Sequence, residues 1–183
     1  MVNTFFSKLG DYISPGDRVA ELYHGEKDDI LSALSDIVGE NGMVYGVDLH
    51  NPFRSFKYRK YYKHMRDLRK RHNVKLIKAK IPPIPLEVSN LDAIVIREFL
   101  WTQEYVKGRY KDYINEAVED PIIYIEMNRV LNNQGHLILH LNPTDEKKEK
   151  DGKGNYHQII KRQFPDFKKK FHKRNMLVYQ KLK

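Results

Sequence analysis

Residues 14–50 read SPGDRVAELYHGEKDDILSALSDIVGENGMVYGVDLH, and the fold turns on how this stretch is parsed. Ser14-Pro15-Gly16-Asp17 is a turn, and Arg18 to Leu22 is a β-prone run. Ile30, Leu31, Leu34, Ile37 and Val38 then fall on one stripe at the 3.6-residue period, with Asp28 or Asp29 placed to cap the first turn and Gly39 to stop the helix. Glu40-Asn41-Gly42 turns the chain into a second apolar run, Met43 to Val47, which ends on Asp48. Strand, helix, strand is one βαβ unit, with Glu21 and Asp48 at the two strand tips. Ligands of open α/β sheets sit beyond the carboxyl ends of the strands, so both acids are candidate site residues. The competing reading for each is an acid capping a neighbouring turn.

Working outward, Phe5, Phe6, Leu9, Tyr12 and Ile13 predict an amphipathic helix over 4–13. Phe53 to His72 predicts a long helix with Phe53, Phe56, Tyr61, Met65, Leu68 and His72 down one side. Three further apolar runs, 74–79, 91–96 and 136–141, predict parallel strands, and Leu91 to Ile96 is continuous enough to be buried on both faces. The prolines of Ile81-Pro82-Pro83-Ile84-Pro85-Leu86 predict an extended surface connection. Asp120-Pro121 predicts a helix start, with proline at the first helical position. Residues 143–155 are charged and glycine-containing, a short helix is expected near 156–162, and 167–171 with 176–182 predict a closing antiparallel hairpin turned at 172–175. Alternating strands and helices define an α/β fold with a mostly parallel sheet and a C-terminal antiparallel hairpin.

The chain has 183 residues, 40% hydrophobic and 31% charged, which suits one domain spanning 1–183. There is no cysteine, so disulfides and thiolate metal sites are excluded. The histidines show no metal-ligand spacing, and no metal is expected. The N-terminus lacks a signal-peptide pattern and no run reaches the roughly 18 apolar residues of a membrane span, so a soluble, cytoplasmic protein without membrane contact is expected. A formal net charge of +9 favours a polyanionic partner where the charge is clustered. Serine-hydrolase, P-loop and dinucleotide glycine motifs are absent.

The acid-tipped strand, loop, helix and V-Y-G-V-D of residues 44–48 resemble the nucleoside-binding half of the class I S-adenosylmethionine-dependent methyltransferases. Glu126 to Leu139, EMNRVLNNQGHLIL, resembles that family's helix, turn and fifth strand, and LDAIVI resembles its fourth strand. The likeness runs from about Asp17 to the end and implies a Rossmann-like three-layer sandwich and S-adenosylmethionine as cofactor. By matching position it implies cofactor contacts at Glu21, Tyr23, Gly25, Asp48, Leu49 and Lys80. Glu21 matches the acid that holds the methionine part, and Asp48 the acid on the ribose hydroxyls. The family's G-x-G-x-G loop is replaced by Tyr23-His24-Gly25-Glu26-Lys27, and its third-strand G-D falls on Ala79-Lys80. Glycine serves there because backbone approaches the ligand and takes positive φ. No family catalytic motif follows strand four, so catalytic residues are unassigned. His24 is a candidate general base, against the plainer reading of a polar surface residue.

Residues 53–72 hold nine Lys and Arg against one acid, Asp67, more than helical ion pairing can neutralise. Lys57, Lys60, Lys63, Arg66 and Lys70 are therefore candidate phosphate contacts, with Tyr58, Tyr61 and Tyr62 able to stack on unpaired bases. The plain alternative is a solvated helix face. Lys168 to Lys170 with Lys173 and Arg174 form a second basic patch, and RNA is the polyanion this pattern suits best, in the absence of a DNA-recognition helix motif. Two functions emerge: a methyltransferase acting on RNA, or a methyltransferase-fold protein that has lost cofactor use and serves as an RNA-binding or partner subunit.

Overall fold

The computed structural model describes residues 4–24, 29–48, 65–97, 121–141, 147, 156–173 and 175–182. Helix α1 is Thr4–Leu9, β1 Arg18–Leu22, α2 Asp29–Val38, β2 Met43–Asp48, β3 Val74–Lys78 and β4 Leu91–Arg97. Helix α3 is Pro121–Val130, β5 Leu131–His140, α4 Tyr156–Gln163, β6 Phe167–Lys173 and β7 Met176–Lys181. The seven strands form one sheet in the order β3-β2-β1-β4-β5-β7-β6. All pairings among the first five strands are parallel, and β5-β7 and β6-β7 are antiparallel. The five predicted strands and the hairpin are all present.

Each face of the sheet carries its own core. Phe5, Leu9, Leu31, Leu34, Met65 and Leu68 pack on Val19, Val44, Val95 and Ile138 on one face. On the other, Tyr124, Met127, Val130 and Phe164 pack on Leu22, Val47, Ile94 and Leu139. Alternation of side chains along each strand sorts the residues between the two. Gly46 lets α2 sit close: a Cβ there would lie 2.8 Å from Leu76 Cδ2 and 3.1 Å from Leu31 Cδ1. Gly39, with φ +64°, ends α2 as read from the sequence.

Several boundaries move. Helix α1 stops at Leu9 rather than 13, because Asp11, Tyr12 and Ile13 fold back on Lys8 and Leu9 in turns, yet Ile13 remains buried. Of the helix placed over 53–72, residues 53–64 lie outside the described residues; 65–69 are helical, and the chain turns at Lys70. His72 therefore leaves the apolar side and is exposed, while Met65 and Leu68 are buried as expected. Asn73 explains the early stop: its side-chain amide donates to the carbonyls of Ser35 and Gly39, both at 2.9 Å, so the chain is tied to the end of α2 before β3 begins. Strand β3 ends at Lys78 and β5 starts at Leu131, five residues before the apolar run, because Leu131 already pairs with Leu91.

The proline segment between β3 and β4 is no loose surface connection. Ile81, Ile84 and Val88 are buried in the second core. The Ile84 amide donates to Glu126 Oε2 at 3.0 Å, and Arg129 Nη2 donates to the Ile84 carbonyl at 2.9 Å and to Glu126 Oε2 at 2.7 Å. Glu126 and Arg129, the charged residues of the EMNRVL run, thus clamp this segment onto α3. Pro83 and Leu86 follow the sequence expectation and are exposed to solvent.

Candidate functional site

Glu21 lies opposite Gly46 of β2 and Val95 of β4. Asp48 is two residues beyond Gly46, Arg97 two beyond Val95, and His140 of β5 pairs with Arg97. A two-residue pleat period puts Asp48, Glu21, Arg97 and His140 on the same face as Val19, Val44, Val95 and Ile138. The carboxyl end of that face is therefore a polar row crossing four adjacent strands, and α1 and α2 lie on the same side. The Phe5 ring of α1 meets His140 edge-on, 4.5 Å between centroids, and Asn175 Nδ2 lies 3.0 Å from His140 Nε2.

Glu21 is fully buried, and neither carboxyl oxygen has a hydrogen-bond partner among the described residues. Burial pushes its pKa up to about 8; Arg97 opposes the rise, while Asp29 and Asp48 add to it. The Leu31 amide in the first turn of α2 also favours the charged form, approaching without closing hydrogen-bond geometry. Arg97 forms its ion pair not with Glu21 but with Asp29, at the start of α2. The Arg97 side chain is 11% exposed and that of Asp29 49%, so the pair runs from the interior to the rim. Arg97 Nε is buried without a hydrogen-bond partner.

Asp48 is buried at the tip of β2, and its carbonyl accepts the Ala79 amide at 2.9 Å. Tyr23 follows β1 with φ +58°, the left-handed backbone that suits glycine, although it carries a large side chain. Its amide donates to the Val47 carbonyl at 2.9 Å and its hydroxyl to the Ile81 carbonyl at 3.3 Å, so the ring leans from β1 toward the segment after β3. His24 is buried, 4% exposed, which corrects the reading of it as a surface residue. Lys80 is exposed. Gly25, Lys27 and Leu49 lie outside the described residues.

Of the basic-helix candidates, Lys57, Lys60 and Lys63 lie outside the described residues, as do Tyr58, Tyr61 and Tyr62. Arg66 and Lys70 are exposed, and Lys70 reaches Asp67 at 3.5 Å. Arg71 is withdrawn from the cationic surface: Nη1 donates to Asp36 at 2.6 Å and to Ser35 Oγ at 3.0 Å, fastening the chain to α2. On the opposite edge of the sheet, Lys168 and Lys170 of β6 are exposed. Among the described residues no cluster of His, Asp or Glu could hold a metal ion, and no helix is long and apolar enough to cross a membrane.

Sequence reading missed Arg97, Asp29 and His140 as site residues. Arg97 and His140 do carry a signal, since each is a polar residue that closes a strand directly after an apolar run, Ala93 to Ile96 and Leu137 to Leu139. Asp29 was read as a helix cap and not as a partner of Arg97.

No protein-family model and no curated protein matches the sequence. Solved structures match across nearly the whole chain. A SAM-dependent methyltransferase from Aquifex aeolicus superposes with TM-score 0.69 at 17% identity, covering 96% of this chain and 88% of that one. Fibrillarin from Methanococcus jannaschii, a pre-rRNA processing protein, gives 0.61 at 15% identity, covering 94% and 70%. Fibrillarin from Aeropyrum pernix, in complex with natively bound S-adenosyl-L-methionine, gives 0.59 at 17% identity, covering 92% and 68%. The chain has the fold of the class I S-adenosylmethionine-dependent methyltransferases.

Proposed function

We propose that the protein is a single-domain S-adenosylmethionine-dependent methyltransferase acting on RNA in the cytoplasm. The observation that carries this reading is Glu21, a buried carboxyl without a hydrogen-bond partner at the tip of β1. A buried carboxyl ionises readily only where a cation compensates its charge, and a ligand ammonium is the complementary group. The residues fit the cofactor at other points as well. Asp48 stands at the tip of β2, where a carboxylate can accept hydrogen bonds from two ribose hydroxyls. Tyr23 keeps the glycine-like backbone of a cofactor loop. Gly25, Leu49 and Lys80 complete the contact set by position. When bound, the cofactor supplies an electrophilic methyl group; the chain's part is to orient the amino-acid end through Glu21 and the ribose through Asp48.

The RNA substrate rests on the cationic stretch from Lys57 to Lys70, with Arg66 and Lys70 exposed on it, and on the likeness to fibrillarins, one of them a pre-rRNA processing protein. RNA affinity is expected to fall steeply between about 50 and about 200 mM salt, and charge reversal at Lys57, Lys60, Lys63, Arg66 and Lys70 to flatten that slope. Salt-independent binding would reduce the stretch to a solvated face.

Calorimetric titration with S-adenosylmethionine and its demethylated product tests the cofactor. Because Glu21 must ionise to receive a cation, affinity should rise roughly tenfold from pH 6 to pH 7, and Glu21→Gln should abolish the rise. A wild-type protein that binds neither compound favours the second reading, a fold kept for RNA or protein binding after cofactor use was lost. The bond from Tyr23 to the Ile81 carbonyl specifically supports that alternative, since it ties the loop after β1 to the segment after β3. If the ring obstructs the cofactor, Tyr23→Gly should bind more tightly than wild type, and glycine tolerates the local φ.

A further inference from the structure

Glu21, a buried carboxyl, and Arg97, a largely buried guanidinium, are complementary groups on adjacent parallel strands. Arg97 stands two residues beyond Val95, which is the partner of Glu21, so the two are diagonal neighbours on one face, within reach of a long side chain. Yet they form no hydrogen bond. The Arg97 guanidinium instead pairs with Asp29, leaving both Glu21 oxygens without a hydrogen-bond partner among the described residues. An arginine beside two carboxylates would normally close on the buried one, where a charge-assisted bond is strongest and an unpaired anion costs most.

We infer that Asp29 is a positioning residue: by holding the Arg97 guanidinium at the start of α2, it keeps Arg97 off Glu21 and leaves that carboxyl as the receptor for a cationic group of the ligand. This rests on the cofactor reading above and adds a residue to it. Among the described residues, three elements present charge to Glu21: Arg97 from β4, Asp29 from α2 and Asp48 from β2. Buried His24 follows β1, and His140 of β5 stands beside Arg97. Arg97 is the cation that favours ionised Glu21, and it faces two competing anions. While Asp29 holds it, Glu21 remains largely protonated near neutral pH, and its charge once formed has no direct ion-pair partner among the described residues. When Asp29 is neutralised, Arg97 is released toward Glu21 on the adjacent strand, and the receptor is filled from within.

Asp29→Asn tests this, because its side chain is half exposed and nearly isosteric. In the free protein, the carboxyl signal assigned to Glu21 by its loss in Glu21→Gln should titrate near 8 in wild type and move down toward the ordinary carboxylate range in Asp29→Asn. Affinity for the demethylated cofactor should fall about tenfold or more. Asp29→Glu should retain wild-type behaviour. The double variant Asp29→Asn, Arg97→Gln should recover affinity relative to Asp29→Asn alone, a rescue that a merely structural role for Asp29 would not produce. An unchanged Glu21 titration in Asp29→Asn, or a double variant weaker than the single, overturns the inference. If wild type binds no cofactor, the functional reading falls, while the titration of the free protein still decides whether Asp29 keeps Arg97 from Glu21.

Discussion

The two faces of the sheet are built from the same strands and end differently. On the face covered by α3, α4 and the proline segment, apolar side chains continue to the strand tips: Leu22, Ile96, Leu139 and Leu141 are all buried in one core. On the face covered by α1 and α2, the apolar layer gives way to Asp48, Glu21, Arg97 and His140. Alternation along the strands separates these outcomes, so one residue's shift in register would exchange them. One face can be optimised for packing while the other holds a buried acid that packing alone would disfavour.

The largest expected effect falls on the packing face. Leu139→Ala should cost about 2–5 kcal/mol in chemical denaturation and leave cofactor affinity in the surviving folded protein unchanged. A loss of affinity without a loss of stability would erase the distinction between the faces. Next is Glu21→Gln, with the opposite sign. Glu21 has a folded pKa of about 8, above its unfolded value, so the folded state holds an extra proton between the two. Because only the unfolded chain releases that proton in this window, stability erodes as pH rises from about 4.5 to 8. Glu21→Gln should be more stable than wild type by a few kcal/mol at pH 8 and above, and the gain should vanish by about pH 4.5. A pH-independent difference between the two would show that Glu21 is compensated in the free protein.

A smaller loss is expected where α2 is anchored. Asn73→Ala removes two donors to the Ser35 and Gly39 carbonyls and an acceptor for Ser35 Oγ, at about 1–3 kcal/mol. Because α2 carries Asp29, loosening it should also weaken the cofactor, whereas Leu139→Ala should not. The smallest effect is Lys70→Ala, whose pair with Asp67 is exposed and contributes at most about 0.5 kcal/mol. Its consequence should appear in the salt dependence of RNA binding.

Strand and helix placement was legible because it depends on local period: Ile30 to Val38 at helical spacing, LDAIVI as a continuous run, Gly39 at a helix end. Glu21 and Asp48 were legible as strand-tip acids by the same logic. The overlong helix over 53–72 shows where local reading fails, since Asn73 ends it by bonding to residues more than thirty positions away. The proline segment was misjudged for a similar reason: its cis and trans prolines break secondary structure locally, but the Glu126 and Arg129 clamp that buries Ile84 comes from α3.

From the sequence alone came the order of elements, the parallel sheet with its closing hairpin, and the two acids at the tips of β1 and β2, because periodicity and punctuation act between near neighbours. Tertiary structure alone decided that Arg97 pairs with Asp29, 68 positions away, rather than with Glu21. A charge takes its partner from whatever strand register and helix packing bring alongside it, and burial sets how much the choice matters.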